Sequence, residues 1–263
     1  MFLVDQQIPA HHGAFKNKLL ATLPATEFEH IRPSLELVSL KVGQVLHEPG
    51  DKMEYVYFPT TSVVTLLCVM ENGTTTETGI VGNDGVVGIE LFMGGDSSPN
   101  LAIVHSAGNA FRMRASKLKA EFAIGHAFHD LLLRYTLALM AQVSQTAVCN
   151  RLHSVPQQLA RWLLLSRDRL ESDRLAVTHD LIANVLGVRR ESVTTAAGKL
   201  SDLGLIENHR GTVTILDRRG LEFAACECYN VVSAEYNRLL TPKVASFASP
   251  RFMRQTERSP RLQ

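Results

Sequence analysis

The pattern of apolar and polar positions divides the chain into a β-rich part and a helical part. From Leu35 to about Met113, short runs of β-forming residues alternate with turn-forming residues. Many short strands at regular spacing are typical of a β-sandwich or a small barrel. The clearest turn is the Glu-Asn-Gly segment at 71–73, because Asn-Gly suits the positive φ angles of a tight hairpin. Ahead of this part, residues 14–31 predict one or two short helices.

A long helix is predicted over about His126–Asn150. Its inward-facing positions recur at alternating steps of four and three, which makes a heptad-like seam that one helix cannot bury alone. The seam can pack on the β-rich part or on the same helix of a second subunit, and we favour the second arrangement, a homodimer. The seam consists of Phe128, Leu132, Tyr135, Leu139, Gln142 and Thr146.

The C-terminal third is predicted to be mostly helical. A helix begins at Ser154-Val155-Pro156, where proline is harmless because the first turn has no partner for its missing N–H. Over residues 204–216, β-forming residues interrupted by glycines predict a hairpin, or wing. The pattern of Leu221–Leu240 predicts a further helix. Residues 241–263 are rich in Ser, Pro and Arg, and we expect a disordered tail there.

The segment Thr178–Leu200 predicts two short helices joined by a tight turn at Gly187. Thr178 is a good helix cap, and glycine allows the chain to turn after the first helix. Spacing, a polar outer face and the wing that follows together indicate a helix-turn-helix that binds DNA. The apolar residues that face inward are Leu181, Ile182, Val185, Leu186, Val188, Val193, Ala197 and Leu200.

The outer face of the second helix carries the residue types that contact DNA. Arginine presents two donors in a fixed fork, which matches the O6 and N7 acceptors of guanine in the major groove. A glutamate can accept from the cytosine amino group, and hydroxyls suit phosphate oxygens. The residues left for this face are Arg189, Arg190, Glu191, Ser192, Thr194, Thr195 and Lys199.

Composition and charge fit this division. The chain has 263 residues, of which 45% are hydrophobic and 20% charged, and a net charge of +1. Residues 1–150 hold 10 basic and 14 acidic residues, whereas residues 151–263 hold 17 and 12, the sign that polyphosphate attracts. No apolar run is long enough to span a bilayer, and the start lacks the features of a secretory signal. We expect a cytoplasmic, nucleoid-associated protein with no membrane partner.

Short motifs occur in both parts of the chain. They are Val42-Gly43-Gln44-Val45-Leu46, Pro49-Gly50-Asp51, Tyr57-Phe58-Pro59, the segment Thr178–Leu200 and Gly204-Leu205-Ile206. Through these motifs the chain resembles the Crp/Fnr family of bacterial transcription regulators over about residues 14–217. The resemblance implies an α+β fold with an N-terminal double-stranded β-helix (jelly roll) at 14–125, a dimerisation helix at 126–150 and a winged helix-turn-helix domain with an extra C-terminal helix at 151–240.

The resemblance also implies roles for single residues. The protein would bind double-stranded DNA as a homodimer on a two-half-site operator, and would contact RNA polymerase if it activates transcription. Family members that recognise the best-known half-site carry a second arginine where this chain has Thr195, so we predict a different half-site. Base edges would be read by Arg190, Glu191 and Thr195, and phosphates contacted by His179, Arg189, Ser192, Thr194, Lys199, His209 and Arg210.

An effector is harder to infer. Relatives that bind a cyclic nucleotide hold its ribose with a Gly-Glu-Leu segment and its phosphate with an arginine about ten residues later. Here the glutamate is displaced by one residue, and no Lys or Arg occurs from Met53 to Phe111. A desolvated phosphate without a cation is costly, so we predict that cyclic AMP does not bind in the usual way. A candidate pocket for an unknown effector would involve Gly88, Glu90 and Asn100.

No cofactor or metal is predicted. An iron–sulfur cluster needs several cysteines in one place, whereas the four here are Cys68, Cys149, Cys226 and Cys228. The last two would lie on a helix, where residues i and i+2 point apart. The sequence has no glycine loop with lysine, nucleophile elbow or His-Glu-x-x-His pattern, so an enzyme is not expected. The alternative to a DNA-binding regulator is a ligand-binding regulatory module whose β domain senses a cyclic nucleotide or another small molecule.

Overall fold

The computed structural model describes residues 16–241, and the tail predicted from residue 241 onward falls outside them apart from its first residue. The α+β fold expected from the sequence is confirmed. Within residues 16–241 the helices are α1 (Lys18–Ala21), α2 (Ala25–Ile31), α3 (Ala115–Ile124), α4 (His126–Leu152), α5 (Val155–Leu170), α6 (His179–Leu186), α7 (Arg190–Asp202), α8 (Arg218–Ala224) and α9 (Cys228–Leu240), with 3-10 turns at Arg32–Ser34 and Ile89–Leu91.

The N-terminal part is built from two antiparallel sheets. One has the order β1-β7-β3 and the other the order β2-β6-β4-β5. The predicted hairpin turn joins β4 to β5, with Gly73 at a φ of +79° and the side chain of Asn72 accepting from the Thr74 N–H at 3.0 Å. The strands are β1 (Glu36–Leu40), β2 (Val45–His47), β3 (Tyr55–Pro59), β4 (Val63–Val69), β5 (Thr75–Val81), β6 (Leu101–Ser106) and β7 (Gly108–Arg114).

The long helix α4 packs along its own chain. All six residues of the predicted seam are buried. The ring of Phe128 lies 6.5 Å from that of Phe58 in β3, and Tyr135 meets Tyr236 of α9 edge-on at 6.4 Å. The preference for this seam as a joint between subunits is therefore wrong, because the seam packs within its own chain, on the β-rich part and on the helices α5 and α9. A heptad pattern states that a face needs a partner, but the partner can belong to the same chain.

A different face of α4 is exposed and apolar. Its members recur at helical spacing over most of the length of the helix, on the side away from the buried seam. We call this set the α4 stripe, and it consists of Leu133, Leu137, Met140, Val148 and Leu152.

The C-terminal part forms around α5. A small sheet of order β8-β10-β9, made of Arg174–Leu175, Thr212–Ile215 and Ile206–His209, contains the predicted wing. The prediction of one helix over Leu221–Leu240 is wrong at residues 225–227, where extended backbone at Ala225 (φ −72°, ψ 162°) separates α8 from α9.

The apolar core is continuous across the two parts of the chain. Phe58 of β3, Leu132 of α4, Leu163 of α5 and Val193 of α7 belong to the same buried cluster. Among residues 16–241, no helix is long and apolar enough to cross a membrane.

Candidate nucleic-acid interface

The turn between α6 and α7 has the local geometry that the sequence predicts. The Thr178 hydroxyl accepts from the Leu181 N–H at 3.2 Å and caps α6. Gly187 ends α6 at a φ of +65°, a conformation in which a residue with a Cβ is strained. Arg189 then occupies the N-cap position of α7 with extended backbone. The second helix therefore begins with Arg190 and Glu191 in its first turn.

That first turn of α7 is open to solvent. Arg189, Arg190 and Glu191 are exposed. The Arg190 guanidinium lies 3.2 Å from Asp180 of α6, and the two side chains keep 64% and 67% of their surface exposed. An ion pair this exposed is weak, so Arg190 can leave Asp180 for another acceptor at little cost.

The two threonines in the next turn use their hydroxyl protons within α7. Thr194 donates to the Arg190 carbonyl at 3.2 Å, and Thr195 donates to the Glu191 carbonyl at 2.9 Å. Thr194 also lies 3.1 Å from the Nδ1 of His179, which fixes the start of α6 beside α7. With its proton engaged, Thr195 presents an acceptor oxygen and a methyl group, and a methyl suits contact with thymine.

The other predicted phosphate contacts lie around this surface. Ser192 and Lys199 line, with Thr195, a shallow groove between α7 and the start of α5. At the wing, Arg210 is exposed in the turn before Gly211, whose φ is +75°. His209 is also exposed, and its Nε2 lies 3.2 Å from the carboxylate of Glu207, two residues earlier on the same strand.

Two residues that sequence reasoning did not assign to the site support it. Asp180 holds Arg190, and Asn208 of β9 anchors the wing on α7 by donating to Ser201 Oγ at 2.7 Å. No local spacing connects either pair, because Asp180 reaches Arg190 across the turn and Asn208 reaches α7 across a loop. Beneath them Val193, Ala197 and Leu200 are buried as predicted, and Val188 is half-buried.

The helix-turn-helix rests on the β4–β5 hairpin. The Thr75 hydroxyl donates to the Asn184 carbonyl of α6 at 3.4 Å. A Cβ at Gly187 would approach Thr76 Oγ1 to 3.1 Å. The strand that follows this hairpin turn, β5, therefore contacts the helix-turn-helix directly.

Farther along β5, buried polar groups join the β-rich part to α5. Trp162 Nε1 donates to Glu77 at 3.2 Å, and His105 stacks on the Trp162 ring at 4.9 Å and 8°. A Cβ at Gly82 would collide with Arg169, so glycine is needed for this approach. We call this set the interdomain polar cluster, and it consists of Glu77, Asp84, His105, Gln142, Thr146, Arg161, Trp162 and Arg169.

Burial sets the protonation of two members of this cluster. It raises the pKa of Glu77 to about 7, against the opposing effect of the nearby Arg161 and Arg169 cations and of the Trp162 hydrogen bond. It lowers the pKa of His105 to about 4. Both groups therefore favour their neutral forms in the folded protein.

The predicted effector residues converge on one cavity. Gly88, Glu90 and Asn100 line a space of about 270 Å³ between the β-rich part and α4. Glu90 accepts from Ser98 Oγ at 2.7 Å, and burial lowers the pKa of His47, a further lining residue. Among the described residues that line it, the remainder are apolar or small, and none is Lys or Arg.

Comparison with known protein families finds a match over the part of the chain that holds the helix-turn-helix. Residues 157–224 match the model of the Crp-like helix-turn-helix domain family. This range contains α6, α7 and the wing. A search of the curated proteins finds no match to the sequence.

Solved structures share the fold of about three quarters of the chain. FixK2 from Bradyrhizobium japonicum aligns with a TM-score of 0.61 and 17% identity over 73% of this chain and 98% of its own. A CRP-family transcriptional regulator from Thermus thermophilus aligns with a TM-score of 0.60 and 20% identity, covering 72% and 96%. The c-di-GMP-responsive global regulator CLP from Xanthomonas campestris aligns with a TM-score of 0.60 and 16% identity, covering 74% and 100%.

Proposed function

We propose that this chain, a Crp/Fnr-type transcription regulator by its helix-turn-helix domain and its fold, binds a two-half-site operator as a homodimer without cyclic AMP. The observation that carries the proposal is the exposed first turn of α7, in which Arg190 is held only by a weak surface ion pair. Arg190 and Glu191 read base edges, and the residues around them contact phosphates.

DNA recognition is tested by selecting binding sites from a random pool and then measuring Arg190→Ala on the selected sequence by fluorescence anisotropy. Removing a base-reading arginine is expected to weaken specific binding by about 1–3 kcal/mol per half-site. Arg238→Ala is the matched control, because Arg238 is also exposed and ion-paired, to Glu235 at 2.6 Å, but lies on α9. Equal affinities for the two variants would contradict the assignment of Arg190.

The α4 stripe supports the homodimer. A row of exposed apolar side chains along a long helix is what a second copy of that helix would cover. Leu137→Glu is expected to convert dimers to monomers in light scattering after gel filtration. Phe223→Glu is the control, because Phe223 is apolar and 94% exposed but lies on α8. A monomeric wild type, or a dimeric Leu137→Glu variant, would refute this arrangement.

Independence from cyclic AMP is supported by the cavity between the β-rich part and α4. Its lining offers a carboxylate from Glu90 and no Lys or Arg, so the phosphate of a cyclic nucleotide would enter without a cationic partner. Titration calorimetry is expected to detect no binding of cyclic AMP at micromolar concentration, and specific DNA binding is expected without it. A micromolar dissociation constant would overturn this part of the proposal.

The same cavity favours a second candidate role, sensing of a small molecule other than a cyclic nucleotide. The volume of about 270 Å³ and the single carboxylate suit a small neutral or cationic molecule. Glu90→Gln distinguishes the two roles. It leaves DNA binding unchanged if the cavity has no effector, and it changes the response to cell extracts or metabolite pools if the carboxylate holds one.

A further inference from the structure

Four potential metal ligands meet where α4 ends. Cys149 Sγ lies 3.5 Å from Cys226 Sγ, and Cys228 Sγ lies 3.4 Å from the Nδ1 of His153. The four ligand atoms all lie within 4.8 Å of one another. Tetrahedral zinc with bonds of about 2.3 Å to sulfur and 2.0 Å to nitrogen separates its ligand atoms by roughly 3.5–3.8 Å, so the set needs little adjustment to close around one ion.

Two local features bring these residues together. Cys149 lies in the last turn of α4, and His153 caps this helix four residues later, with its N–H donating to the Cys149 carbonyl, so the two side chains leave the same end of the helix. Cys226 and Cys228 lie where the chain breaks between α8 and α9, and Ala225 there has extended backbone. The argument from the sequence that these two cysteines point apart assumed a continuous helix, and it fails because the helix is interrupted.

The surroundings resemble those of a metal site rather than of ordinary buried cysteines. The three thiols are at most 4% exposed and form a buried cluster separate from the main apolar core. The Nε2 of His153 lies 3.3 Å from the Glu227 carboxylate, so the ring is oriented with Nδ1 toward the thiols. Gln145 Nε2 donates to Cys228 Sγ at 3.2 Å. A carboxylate behind a histidine and a donor on a thiolate are the outer contacts that orient metal ligands.

We propose that Cys149, His153, Cys226 and Cys228 form a Cys₃His site for Zn²⁺. Three thiolates and an imidazole in a closed, buried arrangement are the donor set of structural zinc. The thiolates are soft ligands, which select zinc over hard cations such as Mg²⁺ or Ca²⁺. Each thiol releases its proton to solvent when the metal binds.

The position of the site gives it a structural consequence. Cys149 lies in the last turn of α4, His153 lies in the junction that leads to α5, and the two remaining ligands lie at the break before α9 and at its first residue. A bound ion would tie this junction to the C-terminal helix, and so fix the direction in which the DNA-binding part leaves α4. This inference goes beyond the proposed function, and its test does not involve DNA.

The experiment measures the metal content of the full chain, purified under reducing conditions, by inductively coupled plasma mass spectrometry. About one zinc ion per chain is expected for the wild type, as for a four-ligand structural site. The double variant Cys226→Ser/Cys228→Ser is expected to lose it. Cys68→Ser is the matched control, because Cys68 lies in β4 outside the cluster, and it is expected to keep the ion.

A second measurement keeps the test independent of folding defects in the variants. Cobalt(II) added to the metal-depleted wild type is expected to give sulfur-to-metal charge-transfer absorption and the visible bands of tetrahedral coordination. His153→Cys is expected to retain both the ion and these bands in shifted form, whereas His153→Ala is expected to bind more weakly.

Two results would overturn the proposal. One is wild-type protein that holds no zinc in stoichiometric amount and gives no cobalt bands. The other is a Cys149–Cys226 disulfide in peptides mapped from protein purified without reductant, together with a metal content equal to that of the double variant. The second result would instead make the pair a redox element.

Discussion

Two arginine–aspartate pairs have almost the same geometry and opposite surroundings. Arg190 and Asp180 lie 3.2 Å apart at the proposed DNA-binding surface, with 64% and 67% of their side chains exposed. Arg169 and Asp84 lie 3.3 Å apart in the interdomain polar cluster, with 3% and 23% exposed. A distance alone therefore does not show what an ion pair does. The surface pair is weak and exchangeable, whereas removal of one partner from the buried pair leaves a desolvated charge.

The surroundings of Arg169 explain why it cannot leave. Its guanidinium donates to the Gln142 side chain at 2.7 Å and to the Leu165 carbonyl at 3.1 Å, and it lies 5.2 Å from the ring centre of Tyr236. These contacts come from α4, α5 and α9 at once. The buried arginine thus holds the two parts of the chain together, while the exposed one is available to a ligand.

The largest effect is expected from Arg169→Ala, which should lower the free energy of unfolding by about 3–5 kcal/mol, because the half-buried Asp84 carboxylate loses its cation and the buried Gln142 Oε1 loses its donor. Urea unfolding followed by circular dichroism measures this. Arg190→Ala should change the free energy of unfolding by no more than about 0.5 kcal/mol. Equal free energies of unfolding for Arg169→Ala and Arg190→Ala would show that burial does not determine how much each ion pair contributes to stability.

Two buried groups of the interdomain polar cluster, Glu77 and His105, should make the stability of the fold depend on pH. Glu77 keeps its proton up to about pH 7 in the folded state, so its contribution to stability is lost as pH rises from 4.5 to 7. His105 loses its proton already near pH 4, so its contribution grows as pH rises from 4 to 6.5. The two slopes oppose each other, and each amounts to about 3 kcal/mol over its range.

Single variants should separate the two opposing pH dependences of the free energy of unfolding, which cancel in the wild type. Glu77→Gln leaves the His105 slope, so its stability relative to the wild type should increase with pH between 5 and 7. His105→Phe preserves the stacking on Trp162 and leaves the Glu77 slope, so its relative stability should increase as pH falls. Chemical unfolding at several pH values measures both. Glu54→Gln, at an exposed acid, is the control, and parallel pH profiles for all three variants would show that the cluster does not titrate as proposed.

The difference between the exposed helix-turn-helix and the buried polar cluster also explains how much of the structure could be predicted from the sequence. Thr178 and Gly187 act on neighbouring residues, so the helix-turn-helix could be derived from local rules of capping and turning. Glu77 lies in a strand whose pattern gives no sign of a partner 85 residues later, and its burial depends on Trp162. Residues distant in sequence also cover the α4 seam. Its periodicity predicted a buried face but not whether the same chain or a second subunit would cover it.

The candidate effector cavity and the cysteine cluster could each be predicted from the sequence only in part. Gly88, Glu90 and Asn100 could be grouped because a family pattern aligns them, and the structure brings them to one cavity. Cys149 and Cys228 could not be grouped, because the break at residues 225–227 has no glycine or proline to mark it. Cys149 in the last turn of α4 and His153, the residue that caps this helix four positions later, were the local signal of that cluster.

A smaller effect is expected at the exposed surface from Thr195→Arg, which introduces the second arginine that the family resemblance implies for proteins with the best-known half-site. A new guanidinium fork should change the selected half-site and alter discrimination at one base pair by about 1–3 kcal/mol. Selection from a random pool followed by sequencing measures this. Thr194→Arg is the control, because Thr194 faces His179 of α6. An unchanged motif in the Thr195→Arg variant would mean that this position does not face the bases.

The smallest effect is expected from Asp180→Asn, which tests whether the surface pair is exchangeable. Arg190 would no longer be shared between the carboxylate and DNA, and one negative charge would leave the neighbourhood of the phosphates. Affinity for the selected site should rise by up to about five-fold, and less at high salt. Asp84→Asn, the buried counterpart, should lower stability and leave the affinity of the folded protein unchanged. If Asp180→Asn instead weakens DNA binding, the Asp180 carboxylate orients the Arg190 guanidinium already in the free protein. The surface pair would then be a fixed part of the DNA-contacting surface and not an exchangeable contact.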